Sequence, residues 1–165
     1  MTIMEMLEQL KQLEAQLKAM QKMVKQTSKS NRETLYEAAK IAIGEKLVKD
    51  KEKELGCVLA VREVFKRAFN KELFDTASTA ELYQFLLKSN EWKKVADHEL
   101  GDVIISPTSL GNGTISNGHV GICGKYGIMS NTSATGRFER NYSYQHWSNW
   151  YGVKGGFPVV FFRKL

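Results

Sequence analysis

Three residues in this sequence have the types and positions of a thiol-dependent acyl-transfer site. Cys57 follows Gly56 at the start of an apolar stretch, Val58, Leu59, Val61, Val64, Phe65, Ala68 and Phe69, whose spacing predicts a helix. A helix N-terminus presents unpaired N–H groups and the positive end of the dipole, which favour thiolate over thiol and can hold a developing oxyanion. His119 stands where a glycine-rich loop passes into the apolar run Val120-Gly121-Ile122-Cys123. Backbone on a rigid element would hold a general base there. His98, in a charged connector, and His146, between Gln145 and Trp147, lack that placement. Asn131 lies beyond the turn Gly124-Lys125-Tyr126-Gly127, and a hairpin of that length returns the end of its second strand beside the start of the first. Its amide oxygen would accept from the imidazole N–H and orient the ring. Taken alone, each of the three is also an ordinary structural residue: a small buried hydrophobe, a strand histidine, a turn cap.

The elements that must position these side chains follow from periodicity. Ile3, Met6, Leu10, Leu13, Leu17, Met20 and Val24 alternate at spacings of three and four, the seam of a coiled coil sustained over residues 3–24. Such a helix extends on the order of 35 Å. Its flanking positions hold Gln9, Glu14, Gln16 and Gln21, so charge does little to set partner or register, and self-association is favoured over packing on its own domain. Thr27-Ser28-Lys29-Ser30-Asn31 reads as a hinge. A second helix is predicted from Glu33 to about Val48, then a solvated connector over 49–54, the Cys57 helix, and a fourth helix from Thr79 to Lys88. After Asn90 the texture turns to short apolar runs between Gly and Asn clusters, at 102–106, 120–123, 128–130 and 159–162. Helices first and strands second predict an α+β domain over residues 31–165, preceded by an oligomerising helix over 1–30.

Charged residues at 25% and hydrophobic ones at 42%, with 2 Pro and 13 Gly, exclude disordered and collagen-like classes. The formal charge is +6, made of +2 over residues 1–30, zero over 31–100 and +4 over 101–165, where Asp102 and Glu139 are the only acids. This predicts attraction to a polyanion. The basic residues are scattered rather than striped, which points to a cell wall before nucleic acid. No apolar run reaches the roughly 18–20 residues of a membrane span, and the start lacks the features of a secretory signal. The expectation is synthesis in a cytoplasm. Two cysteines, Cys57 and Cys123, make no disulfide framework, so reduced thiols are expected.

Leu55-Gly56-Cys57-Val58, Leu100-Gly101-Asp102-Val103-Ile104-Ile105, Gly118-His119-Val120-Gly121-Ile122 and a tryptophan-rich stretch before the closing Phe161-Phe162-Arg163 stand in the order found in one enzyme group. Over residues 34–165 the chain resembles the NlpC-type and CHAP-type cell-wall cysteine peptidases and amidases, a papain-like group, and is similar to phage-borne lysins among them. The resemblance implies a papain-like α+β fold with N-terminal helices packed on an antiparallel sheet. It implies hydrolysis of an amide bond of the peptidoglycan stem peptide, with Cys57 as nucleophile, His119 as base and Asn131 orienting it, and no metal or cofactor. It further implies action at the bacterial cell wall after phage-type release or within a virion. The chain departs from many NlpC-type enzymes in carrying Gly56 and Val58 where they have aspartate before the cysteine and a small polar residue after it. Tyr142, Tyr144, Trp147, Trp150 and Tyr151 can wall a groove or serve as core packing.

Two other readings stand beside this one. Cys57, His119, Cys123 and His146 supply ligand types for zinc, without the paired spacing of known sites. A non-catalytic structural or wall-binding oligomer retaining the papain-like fold would use the same seam and the same core.

Overall fold

The computed structural model of the protein describes residues 2–27 and 29–165. The chain divides into two units, residues 1–30 and 31–165. The first is one helix, α1 (Ile3–Thr27). Ile3, Met6, Leu10, Leu13, Leu17 and Met20 are all exposed on it, and a lone helix has nothing of its own to bury such a face against. Ser28 of the hinge lies outside the described residues, as does the side chain of Val24 at the end of the seam.

The second unit is α+β. Three helices, α2 (Asn31–Ala42), α3 (Gly56–Phe69) and α4 (Thr79–Lys88), precede a six-stranded sheet. The strands are β1 (Trp92–Val95), β2 (Val103–Ser106), β3 (His119–Gly124), β4 (Gly127–Thr132), β5 (Arg137–Tyr142) and β6 (Val160–Lys164). Every neighbouring pair is antiparallel, in the order β1-β6-β2-β3-β4-β5. A short helix α5 (Tyr144–Trp147) runs on into a wider π-type turn over Ser148–Lys154.

The apolar runs are continuous rather than alternating because both faces of the sheet are covered. On one face Val103, Ile105, Val120, Ile122, Met129, Phe138 and Phe162 meet Leu35, Ala39, Val58, Val61, Phe65, Leu82 and Leu86 of the helices. On the other, Ile104, Cys123 and Ile128 meet Trp147, Tyr151 and Phe157. The aromatic stretch near the C-terminus is thus mainly a second core. Side chains alternate along a strand, so successive residues feed opposite cores.

Three expectations are corrected. The second helix stops at Ala42 rather than Val48, because Gly44 takes a left-handed turn (φ +88°) and donates to the Phe138 carbonyl, while Phe138 N–H donates to the Glu45 carbonyl. The chain there leaves its helix to follow β5. The charged connector coils into a 3₁₀ segment, Asp50–Leu55, that leads directly into α3. Strands β1 and β5 are additional; their lysines, arginines and glutamate conceal the pattern, and only Trp92 and Phe138 among them are deeply buried.

The Gly101-Asp102 pair is a structural pin. Gly101 has φ +87°, and a β-carbon there would lie 2.1 Å from the Arg32 carbonyl oxygen. Asp102, fully buried, accepts from Arg163 Nε and Nη2 at 3.0 and 2.8 Å and from Glu99 N–H at 2.7 Å. A buried charge must be paired in this way to be tolerated, and removing one partner strands the other. Asp102→Ala is therefore expected to destabilise the domain by about 3 kcal/mol, read as a lower urea midpoint at unchanged m. Asp102→Asn, which keeps an acceptor but not the charge, should fall between it and the parent.

Candidate functional site

Cys57 is the second residue of α3, and no side chain caps that helix: Leu55 occupies the capping position without a side-chain hydrogen bond. The N–H groups of Val58, Val120 and Cys57 itself approach the Cys57 sulfur. Val120 is the second residue of β3, so the helix start is seated on the strand that begins with His119. The neighbouring approach is close: a β-carbon on Gly56 would lie 2.5 Å from Asn131 Nδ2 and 3.3 Å from Val48 Cγ1.

Cys57, His119 and Asn131 line one cleft of about 780 Å³, together with Asn141, Tyr142 and Tyr151. They reach it from different sides. Asn131 shares a face of β4 with Met129, toward the helices. Ser130 shares the other face with Ile128. His119, two residues from Gly121 and four from Cys123, points to that second face, where its ring lies 5.3 Å from Trp147 and 5.7 Å from Tyr151, stacked on the latter. The cleft opens at the end of the sheet, where the two faces meet.

The hydrogen bond of the imidazole follows this alternation. His119 Nε2 lies 3.0 Å from Ser130 Oγ, and Ser130 in turn donates to Asn141 Oδ1 at 2.6 Å. The ring partner is thus Ser130, one residue before the expected Asn131. Asn131 is 2% exposed, and its Oδ1 has no hydrogen-bond partner. A buried carbonyl oxygen left unpaired costs about 1–3 kcal/mol, and one that faces a cleft can recover this from a ligand N–H. Nothing in their residue types marks Ser130 and Asn141 as members of the site. The usable signal for Ser130 is strand parity counted back from the hairpin turn, which assigns residue 130, not 131, to the histidine's face.

Burial governs the ionisation of both groups. It pushes the Cys57 thiol up to about 11, against the smaller opposing pull of the three N–H groups. The helix-terminus effect expected from position is present but outweighed. Burial likewise holds the His119 imidazole down at about 4. At neutral pH the site therefore contains a thiol and a neutral imidazole rather than an ion pair.

Cys123 is fully buried in the second core, and desolvation raises its thiol further. Among the described residues no group of three or more His, Cys, Asp or Glu side chains comes together as a metal site. Cys57, His119, Cys123 and His146 are accordingly not gathered as ligands. No helix among the described residues is long and apolar enough to cross a membrane. No family model, curated protein or solved structure matches the chain.

The depressed His119 value makes stability pH-dependent. An unfolded imidazole titrates near 6.5 and the folded one at about 4, so between those values the unfolded state binds more protons. This contribution is complete above about 6.5 and is lost as pH falls toward 4; over the window it is on the order of 3 kcal/mol. Urea titrations of the parent and of His119→Gln at pH 7, 5.5 and 4.5 should show a steeper fall for the parent. Equal slopes would remove the buried neutral histidine.

Proposed function

We propose that the protein is a papain-like peptidoglycan hydrolase, cleaving an amide bond of the stem peptide with Cys57 as nucleophile and His119 as base. The observation that carries this reading is the shared cleft. A cysteine in the first turn of a helix and a histidine at a strand start line one cavity from the ends of two different elements. The size of the cleft suits a peptide segment.

The neutral resting pair argues for general-base attack. The Cys57 proton passes to His119 as the sulfur adds to the carbonyl carbon, and N–H groups at the start of α3 stabilise the oxyanion. Nε2 is engaged by Ser130, so Nδ1 is the nitrogen that takes the proton. His119 then protonates the leaving amine as the C–N bond breaks. Water adds to the thioester with His119 as base, and collapse returns the proton to sulfur. Ser130 takes the orienting part first expected of Asn131, whose unpaired Oδ1 serves as an acceptor for a substrate N–H. Gly56, where many NlpC-type enzymes carry aspartate, is accounted for by packing, since any side chain there meets the Asn131 amide.

The excess of +4 in residues 101–165 lies in the same third of the chain as His119 and favours an anionic wall. Action at the wall follows phage-type release or carriage within a virion. The exposed seam of α1, with Leu10 at 57% and Leu13 at 61%, supports self-association through a coiled coil over residues 3–24.

A second reading, a non-catalytic wall-binding or structural oligomer of the same fold, is favoured by one observation: the thiol is held well above its usual range. The two separate cleanly. Cys57→Ala should abolish zymogram clearing on susceptible walls with unchanged circular dichroism, whereas retained clearing removes the nucleophile, and wall binding without clearing by the parent supports the second reading. Leu10→Glu with Leu13→Glu should convert an oligomer to a monomer in analytical ultracentrifugation, with the 31–165 spectrum intact; a parent that sediments as a monomer removes the seam as an interface.

A further inference from the structure

We propose that Glu139, acting through Thr132, Asn141 and Ser130, sets the tautomer of His119, so that these four are positioning residues for the imidazole. The proposal rests on the reading of His119 as the base. It follows from the direction in which each hydrogen bond must run.

An ionised carboxylate only accepts. Glu139 Oε2 lies 2.6 Å from Thr132 Oγ1, so the threonine hydroxyl donates to it. Thr132 Oγ1, its proton committed, can only accept from Asn141, whose Nδ2 lies 3.1 Å away and also reaches the Asn131 carbonyl at 3.3 Å. With Nδ2 turned that way, Oδ1 of the same amide faces Ser130 Oγ at 2.6 Å and must accept. Ser130 has then spent its proton, and its remaining lone pairs face His119 Nε2 at 3.0 Å. Nε2 must carry the proton, which leaves Nδ1 as the basic nitrogen. Five side chains thus form one directional chain with no reversible link, anchored on a charge.

The backbone is shaped for this chain. Met129 pairs with Arg140 and Ile128 with Tyr142, which leaves Asn141 as an extra residue in β5. Such a bulge re-aims a side chain, and here it turns Tyr142 to the face of Ile128 and the second core. Asn141 itself stands two residues beyond Glu139, on the face of Ser130 and Thr132, and its amide reaches Ser130, the Asn131 carbonyl and Thr132. The charge is equally specific: of the two acids in residues 101–165, Asp102 is taken up by Arg163, and Glu139 is the other.

The chain does two things for an imidazole that must take a proton. It holds Nδ1 free of hydrogen, and it ends the relay on a negative charge that offsets the imidazolium formed during the reaction. Neither requires Glu139 to touch the ring or the substrate.

Long-range ¹H–¹⁵N spectra of ¹⁵N-histidine-labelled protein at pH 7 read the tautomer directly. The parent should show His119 in the Nε2–H form, and a parent in the Nδ1–H form overturns the proposal with no variant needed. Asn141→Leu should give a mixture of tautomers, while Asn141→Asp, whose carboxylate can only accept from Ser130, should restore the Nε2–H form. A spectrum unchanged by Asn141→Leu also overturns the relay. In hydrolysis assays, Ser130→Ala and Asn141→Leu should lower kcat at least tenfold with little change in KM, with partial recovery in Asn141→Asp. If the parent shows the expected tautomer and variant pattern yet no hydrolysis of any wall, the relay stands and the hydrolase reading fails. Hydrolysis by the parent with the variants kinetically silent does the opposite: the hydrolase reading stands and the relay fails.

Discussion

The site depends on how closely the start of α3 can approach the end of β4. At Gly56 there is no room for a methyl group, because Asn131 Nδ2 already occupies that space. Only this proximity brings the Cys57 sulfur to the N–H of Val120 and so to the strand whose first residue is His119. A side chain at position 56 would have to displace the Asn131 amide. The same packing contributes to the burial that holds the thiol protonated and the imidazole neutral. Geometry and ionisation at this site therefore share a cause.

A sheet covered on both faces explains how residues pointing in opposite directions come to share a cleft. Asn131 belongs to the helix side and His119 to the aromatic side, and they would be separated by the sheet anywhere but at its end. There β3 begins and β4 finishes, and Ile115, Ser116, Asn117 and Gly118 of the preceding loop help line the cleft. Trp147 helps fix this end. Its Nε1–H donates to Ser106 Oγ at 3.0 Å while its ring lies beside His119, so the second core is also the histidine's support. An aromatic cluster that could have been a substrate platform is mostly the packing that keeps the imidazole still.

Much of this arrangement is legible in the amino-acid sequence, and what is not has physical reasons. An apolar helix starting at Gly56 and a strand starting at His119 follow from periodicity and glycine placement, because those signals are local. The fourth helix is matched to the residue by Thr79–Lys88, where Ser78 accepts from Glu81 N–H as a regular cap. The choice between Ser130 and Asn131 depends on strand parity, where an error of one residue reverses the face. Asn141 shares its face with Glu139 two residues before it, so it is hidden only because β5 as a whole is. Polar strands such as β5 are hidden because an edge strand buries one side chain in two at most, and here Phe138 alone is fully buried. The thiol ionisation departs from its expected direction because position at a helix terminus is legible in a sequence, whereas desolvation depends on tertiary neighbours.

The competition between these two effects bears on how such a site can work at all. A free thiolate–imidazolium pair would need both charges stabilised where burial disfavours them, and three N–H groups do not overcome that cost. Charge is better tolerated if it appears only as bonds are made, when the negative end is spread onto a substrate oxygen near the α3 terminus and the positive end is backed by a relay that ends on Glu139. In that arrangement burial does not oppose reactivity. It suppresses the charged pair in the resting protein, protecting the thiol from adventitious oxidation, and it strengthens each dipole that meets the charge once it forms. A polar chain of fixed direction is then more useful than a second charge beside the ring, because a carboxylate in direct contact with His119 would raise the imidazole and favour the ion pair that the packing otherwise excludes.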